Sequence, residues 1–177
     1  VMVMDSVSGS FRLTEKGRFY TYSDICQMVM QLHYYRGWSS TSYLPPPTIW
    51  KPIPLWTGKQ IYSLLFPRTF YYDKQTRDAV EYHTTTTTTT GTTSPPPFQY
   101  STKQCAVLDP DEPHVVIREG ILWTGKLCSK AVGLTNGGLI HLMFRDHGPE
   151  VTKEFLSDAQ RLLMYVMQHV GLTVGMD

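Results

Sequence analysis

Apolar residues recur with a helical period in two stretches of the chain. The first stretch follows Thr21, and Asp24 comes three residues later, as in a capping box. We therefore predict a helix that begins after Thr21 and ends near Tyr35 and Gly37. Its apolar face consists of residues spaced i, i+3, i+4 and i+7, namely Ile25, Met28, Val29 and Leu32.

The second stretch lies near the C-terminal end and gives the strongest helical pattern. Pro149 suits the first helical position and Gly171 the position after the last turn, so these two residues bracket the predicted helix. A shorter helix is predicted before it, from Leu139 to Asp146, and His147-Gly148 ends that helix. The long helix has one apolar face, which consists of Phe155, Ala159, Leu162, Leu163, Val166 and Val170.

Other segments favour extended structure. Residues 114–118 and 121–125 are apolar runs on either side of Glu119-Gly120, which is a hairpin signal. Residues 71–82 are mixed and predict a further strand, and residues 1–20 alternate loosely and predict short strands and turns. The predicted fold class is therefore α+β: a single domain with short strands, a hairpin and about three to four helices.

A proline-rich segment leads into the middle of the sequence. Residues 45–61 contain five prolines and two tryptophans. Each proline fixes its own φ and biases the preceding residue to an extended form. We predict a stiff rod from Leu44 to Leu55, followed by Thr57, a residue suited to cap a helix or turn. On shape alone, a buried brace of proline and tryptophan without chemistry is favoured over a wall element that holds polar groups in place. The apolar run that follows, residues 61–66, fits a helical turn or a buried strand equally well.

Composition limits the kinds of function. Of the 177 residues, 41% are hydrophobic and 18% charged, fewer charges than soluble domains usually carry, which predicts a surface that neighbours cover. The formal net charge is +1, so contact with RNA or DNA has to come from a few placed residues. Three cysteines without CxxC spacing predict free thiols rather than a disulfide or zinc site. No apolar run is long enough for a membrane span.

Two local features carry candidate chemistry. Asn136-Gly137-Gly138 is a glycine-rich turn before a helix, where backbone N–H groups can hold a phosphate. Capping of the helix by Asn136 is the simpler interpretation. For His141, a hydrogen-bonded core or interface histidine is favoured over a catalytic base. The acidic segment 109–113 contains two prolines and predicts a turn rather than a metal site.

Four blocks of the sequence resemble one protein family. Residues 51–60, KPIPLWTGKQ, resemble the KPxPLWTGKQ motif of the largest subunit of eukaryotic nuclear RNA polymerases, in the version most like polymerase II. Residues 133–141, GLTNGGLIH, resemble its GxSNGGLIH block, and residues 171–177, GLTVGMD, resemble its GFSxGIGD ending. Residues 5–14 resemble its QDTxxG…LT opening. The order and spacing of the blocks fit the third domain of that subunit, the pore domain.

The resemblance implies a place in a large enzyme, and we interpret the chain as a piece of a longer protein. Residues 1–177 would form the pore domain of the largest subunit of DNA-directed RNA polymerase II, a nuclear nucleotidyltransferase. The family's Mg ions are held by aspartates of an NADFDGD motif, which this sequence lacks. The resemblance therefore implies no metal or cofactor in this chain, no catalytic residue and no activity of the chain alone.

The resemblance also implies partners and pore-facing positions. The partners are the remainder of the largest subunit, the second-largest and other polymerase subunits, the RNA 3′ end, the DNA template and nucleoside triphosphates, with no membrane. Lys130 matches the second lysine of a pore-facing pair, and Ser129 replaces the first. The pore-facing or nucleic-acid-facing candidates are Lys59, Gln60, Lys130, Asn136, Gly137 and Gly138.

Two other classes of function are compatible with the residues alone. One is a stand-alone, non-catalytic protein-interaction domain. The other is a small enzyme that uses His141 or His147. The sequence has no catalytic-triad cue, P-loop or zinc motif, which argues against the small enzyme.

The threonine-rich tract generates a first prediction. Residues 84–90 are seven consecutive threonines within a low-complexity insertion at about 83–97 that has no core-forming content. Because loop closure costs change slowly with length, deletion of Thr84–Thr93 should leave the free energy of unfolding within about 1 kcal/mol. Urea and thermal unfolding of both chains measure this difference. A fall of several degrees in the midpoint would show that the tract packs against the core.

Overall fold

The chain contains both helices and short strands in the computed structural model, which describes residues 2, 4–35, 43–75, 114–133 and 135–171. The predicted α+β class is confirmed, with five helices in the described residues rather than three to four. The insertion at 83–97, the acidic segment 109–113 and the ending 172–177 lie outside the described residues. In chain order the elements are α1 (Asp5–Thr14), β1 (Phe19–Thr21), α2 (Tyr22–Met30), β2 (Leu55–Thr57), α3 (Gly58–Ser63), β3 (Tyr72–Gln75), β4 (His114–Arg118), β5 (Ile121–Thr124), α4 (Ser129–Val132) and α5 (Leu139–Val170).

Helix α1 occupies residues 5–14, so the prediction of short strands and turns is wrong there, whereas a turn and the start of β1 follow within residues 16–20 as predicted. Its buried face has helical spacing but is built largely from small residues, which a hydrophobic pattern does not reveal. Gly9 faces α5, where an added Cβ would meet the Leu163 Cβ at 3.3 Å. On the same face, Ser6 Oγ donates to Gln160 Oε1 at 2.6 Å. The buried residues of α1 are Ser6, Gly9, Ser10, Leu13 and Thr14.

Two capping boxes start the helices that were predicted after Thr21 and Thr57. The Asp24 carboxylate accepts from the Thr21 N–H at 3.0 Å, and the Thr21 hydroxyl accepts from the Asp24 N–H at 3.4 Å. Thr57 and Gln60 form the same reciprocal pair at the start of α3. Both predicted helix starts are confirmed. Of the two alternatives for residues 61–66, the structure has the helical one: α3 continues to Ser63 and turns follow, without a strand.

Helix α2 ends at Met30, earlier than the predicted end near Tyr35. The N–H groups of His33 and Tyr34 both donate to the buried Asp158 carboxylate of α5, each at 2.9 Å. In a longer helix these two groups would bond to carbonyls of the preceding turn. A partner from another element therefore ends α2, which the local pattern does not show.

The proline-rich segment is not the rod that was predicted. Ile49 and Leu55 pair as an antiparallel bridge, with the Leu55 N–H donating to the Ile49 carbonyl at 2.8 Å. The chain therefore reverses direction between them, and this reversal pairs backbone groups that a straight rod would leave unpaired. Trp56 is buried and its Nε1 donates to the Pro45 carbonyl at 2.8 Å, whereas Trp50 is 68% exposed.

The strands form two small antiparallel sheets. One pairs β1 with β2, and the other has the order β3-β4-β5. The hairpin predicted around Glu119-Gly120 is confirmed as β4 and β5, and β3 lies within the segment predicted to contain a strand. Ser63 at the end of α3 joins the larger sheet to the helices, because its Oγ accepts from the Leu122 N–H at 2.9 Å.

Helix α5 contributes the largest part of the core. Its conformation breaks at Gly148, where φ is 83° and ψ 178°, so the two helices predicted on either side of this residue are confirmed. Most of the predicted apolar face is buried, and Val170 lies at its half-buried edge. The fully buried members of this face are Ala159, Leu162, Leu163 and Val166, and Phe155 is nearly fully buried.

No described helix is long and apolar enough to cross a membrane.

Tyr62 of α3 extends this core toward α1. It is completely buried and lies 3.4 Å from the Ser10 hydroxyl, measured between the two oxygens. Burial raises the pKa of the Tyr62 phenol to about 12, although the hydroxyl of Ser10 acts in the opposite direction. The phenol is therefore neutral at physiological pH, as a buried group without a charged partner should be.

Gly58 generates a stability prediction. An added Cβ at this position would lie 1.8 Å from the Leu13 carbonyl oxygen, so Gly58→Ala should lower the free energy of unfolding by about 3 kcal/mol. Gly17→Ala is the control, because Gly17 has φ +79° but open space around it, and this change should cost only about 1 kcal/mol. Urea unfolding compares the two variants. Equal losses would contradict a special role for the contact between α3 and α1.

Candidate nucleic-acid interface

Helix α4 and the residues that lead from it to α5, described at 129–133 and 135–138, are held together by backbone groups and one hydroxyl. The Gly133 N–H donates to the Ser129 carbonyl at 2.8 Å, and the Gly138 N–H to the Thr135 carbonyl at 2.9 Å. Thr135 Oγ1 donates to the Lys130 carbonyl at 3.1 Å. Lys130 is half-buried in α4, within this hydrogen-bonded segment, which we call the Lys130 turn.

The N-cap of α5 is Gly138, so the prediction that Asn136 caps this helix is wrong. An added Cβ at Gly138 would lie 2.9 Å from the Thr135 carbonyl oxygen, so this cap position suits glycine. No side chain caps the helix there, and Asn136 is exposed. Gly137 supplies the left-handed conformation of the turn, with φ +70°.

Lys74 and His141 join this turn from elements on either side of it. Lys74 Nζ lies 3.5 Å from the carbonyl oxygens of both Asn136 and Gly137. The Gly137 N–H donates to His141 Nδ1 at 3.1 Å. His141 is thus hydrogen-bonded as predicted, but it is exposed rather than part of the core. Lys74 was missed, because it reaches the turn only through the pairing of β3 with β4, which are far apart in sequence.

The charges nearest along α5 offset one another. Arg145 Nε lies 2.7 Å from Asp146 Oδ1 on the exposed surface. The hydrogen bond from Arg145 lowers the pKa of Asp146, and the same bond raises the pKa of Arg145. Both groups stay ionised at neutral pH and cancel in net charge. Lys74 and Lys130 are therefore the net positive charges that we assign to the Lys130 turn.

The candidates Lys59 and Gln60 lie on α3, apart in sequence from the Lys130 turn. The Gln60 side chain is occupied at both ends: Oε1 accepts from the Thr57 N–H at 3.0 Å and from Thr48 Oγ1 at 2.6 Å. Its Nε2 donates to the Pro46 carbonyl at 2.9 Å. Gln60 therefore holds the proline-rich segment against α3. Lys59 is half-buried one residue before it.

The described residues offer no metal centre. Among residues 2, 4–35, 43–75, 114–133 and 135–171, no three His, Cys, Asp or Glu side chains gather in a way that could hold a metal ion. Cys26 and Cys128 are free thiols and are each half-buried.

A comparison with known protein families gives a match over the full length of the chain. Residues 1–177 match the family described as RNA polymerase Rpb1, domain 3. The chain is also similar to two proteins of Trypanosoma brucei brucei, DNA-directed RNA polymerase II subunits RPB1-A and RPB1-B. Each is 30% identical over 174 residues, which cover 98% of this chain and 8% of the relative. The resemblance read from the four sequence blocks is confirmed.

The contacts of Gln60 generate a prediction that separates bracing from ligand contact. Gln60→Ala removes bonds to three residues, so the free energy of unfolding should fall by about 1–2 kcal/mol. Gln27→Ala on the exposed side of α2 is the control and should change it by less than about 0.5 kcal/mol. Urea unfolding measures both. If the Gln60 variant were as stable as the Gln27 variant, the bracing role would be refuted.

Proposed function

Since this chain belongs to the family of domain 3 of Rpb1, the largest subunit of RNA polymerase II, we propose that it forms the pore wall beside the RNA 3′ end. Nucleotides would enter along this wall, and backtracked RNA would leave along it. The chain spans 8% of the length of the two trypanosome relatives. The nucleotidyltransferase activity, the nuclear location and the other subunits therefore belong to the proposal for the complete enzyme.

The Lys130 turn is the observation that carries this proposal. It is a hydrogen-bonded segment that contains Lys130, with Lys74 beside it and a glycine N-cap to which no side chain hydrogen-bonds. A lysine acts on phosphate as a compact point charge. With a net charge of only +1, a chain that touches RNA has to do so through such placed cations. Lys130, supported by Lys74, is the contact that we propose for RNA phosphate.

The remaining candidates take supporting roles in this proposal. Asn136, Gly137 and Gly138 give the turn its shape, and Gln60 braces the segment that carries the KPxPLWTGKQ motif. Lys59 directly precedes Gln60 on α3, and in this proposal it faces the pore. When present in the complete enzyme, Mg supplies the charge that stabilises the transferring phosphoryl group, and we propose that aspartates outside this chain hold it.

Partner subunits are proposed from the exposed apolar groups. Trp50 is 68% exposed and Ile53 58% exposed, at the reversal of the proline-rich segment. Large apolar groups gathered at one surface are typical of interfaces. We propose that the remainder of the largest subunit or the second-largest subunit covers them. The same surface is compatible with the alternative, a stand-alone interaction domain. That alternative, however, assigns no role to the Lys130 turn.

The proposed contact of Lys130 with RNA phosphate is tested by mutation in the complete polymerase. A lysine in a pore meets phosphate mainly when RNA enters the pore, so Lys130→Ala should change rescue or cleavage of backtracked complexes by about threefold or more while elongation changes less. Lys153→Ala is the matched control, because this exposed lysine pairs with Glu150 on α5 and should affect neither. Equal effects of Lys130→Ala on both reactions, or on neither, would refute the proposed placement.

A further inference from the structure

A cleft of about 730 Å³ is lined by none of the pore-facing candidates. Its walls are the part of α5 after Gly148, the turn that follows α3, the residues after α2 and the tip of the β4–β5 hairpin. We call it the tyrosine cleft, because three tyrosine rings line it: Tyr34, Tyr35 and Tyr71. Tyr34 is 41% exposed and Tyr71 59% exposed, so their rings are accessible from outside.

The hairpin tip is fixed at the edge of this cleft. The Gly120 N–H donates to the Phe70 carbonyl at 3.1 Å. An added Cβ at Gly120 would meet the Pro67 carbonyl oxygen at 2.6 Å, so the tip lies directly on the turn after α3. Glu119 adopts φ +53°, a left-handed conformation that is uncommon for glutamate. The close contact of the tip therefore holds the backbone of Glu119 in place beside the tyrosines.

Two carboxylates in the cleft are available for a ligand. Glu119 and Glu154 both line it, and within the described residues neither forms an ion pair or a side-chain hydrogen bond. Asp158 lines it as well, but its two oxygens already accept backbone N–H groups. Arg68 is the one cation in the described lining, and its charge acts on Tyr35. The cleft therefore has an excess of negative charge.

Charge and shape together select one kind of occupant. Carboxylates repel phosphates, whereas a guanidinium ion can bond to a carboxylate through two N–H groups and also stack on a tyrosine ring. We propose that the tyrosine cleft binds an arginine side chain of a partner polypeptide, with Glu119 and Glu154 as the charged contacts. This inference does not depend on the Lys130 turn, so each can fail without the other.

A pair of short peptides tests the charge requirement in the unaltered chain. The probe is acetyl-Gly-Arg-Gly-amide, and its partner replaces arginine with citrulline, which has nearly the same shape without the charge. Titration followed by NMR of the Tyr34, Tyr35 and Tyr71 ring signals gives both dissociation constants. The arginine peptide should bind saturably and about tenfold more tightly. Equal binding of the two peptides, or no saturable binding of either, would overturn the proposal.

Matched variants then locate the contact. Glu119→Gln and Glu154→Gln should each weaken binding of the arginine peptide by about two- to fivefold. Glu150→Gln is the control, since Glu150 lies one turn before Glu154 on the same helix and outside the cleft, where it faces Lys153 at 3.8 Å. It removes the same charge and should leave binding nearly unchanged. An equal loss in all three variants would assign binding to overall charge and reject the cleft.

Discussion

The close approach of α1 to two neighbouring helices is the contact on which much of the fold depends. Gly9 brings α1 onto α5, and Gly58 brings α3 against the Leu13 carbonyl. At the end of α1, Thr14 Oγ1 accepts from the Leu127 N–H at 2.9 Å, which fixes the segment leading into α4. Because α4 carries Lys130, the position of that lysine depends on the packing of α1.

Local patterns predicted the parts of the fold whose signals are local. The capping residues Thr21 and Thr57 and the hairpin at Glu119-Gly120 depend on neighbours within a few positions, and the structure has them where expected. Helix α1 was missed because its buried face is made of serine, glycine and threonine, residues that a search for apolar periodicity treats as polar. The reversal between Ile49 and Leu55 was missed because proline chemistry constrains single residues and does not reveal the backbone pairing across the segment.

The residues of the candidate site also divide into those that the sequence identified and those that only the structure reveals. Lys130, Asn136, Gly137 and Gly138 were identified through the family resemblance, and all four belong to the Lys130 turn. Lys74 was invisible in the sequence, since it reaches Asn136 across 62 positions of chain through a strand pairing. Gln60 was identified as a candidate contact, but its polar atoms are directed at Pro46 and Thr48. A motif can identify a residue, whereas its hydrogen-bond partners are a property of the folded chain.

The break at Gly148 also divides the helix dipole of α5 into two. A helix concentrates partial positive charge at its N-terminal end and partial negative charge at its C-terminal end. The 32 residues of α5 therefore carry two such pairs of ends, with a negative end at His147 directly followed by a positive end at Pro149. Glu150 provides the anion that the positive end favours. A helix that looks continuous thus holds two opposed dipole ends in its middle, with a carboxylate beside the positive one.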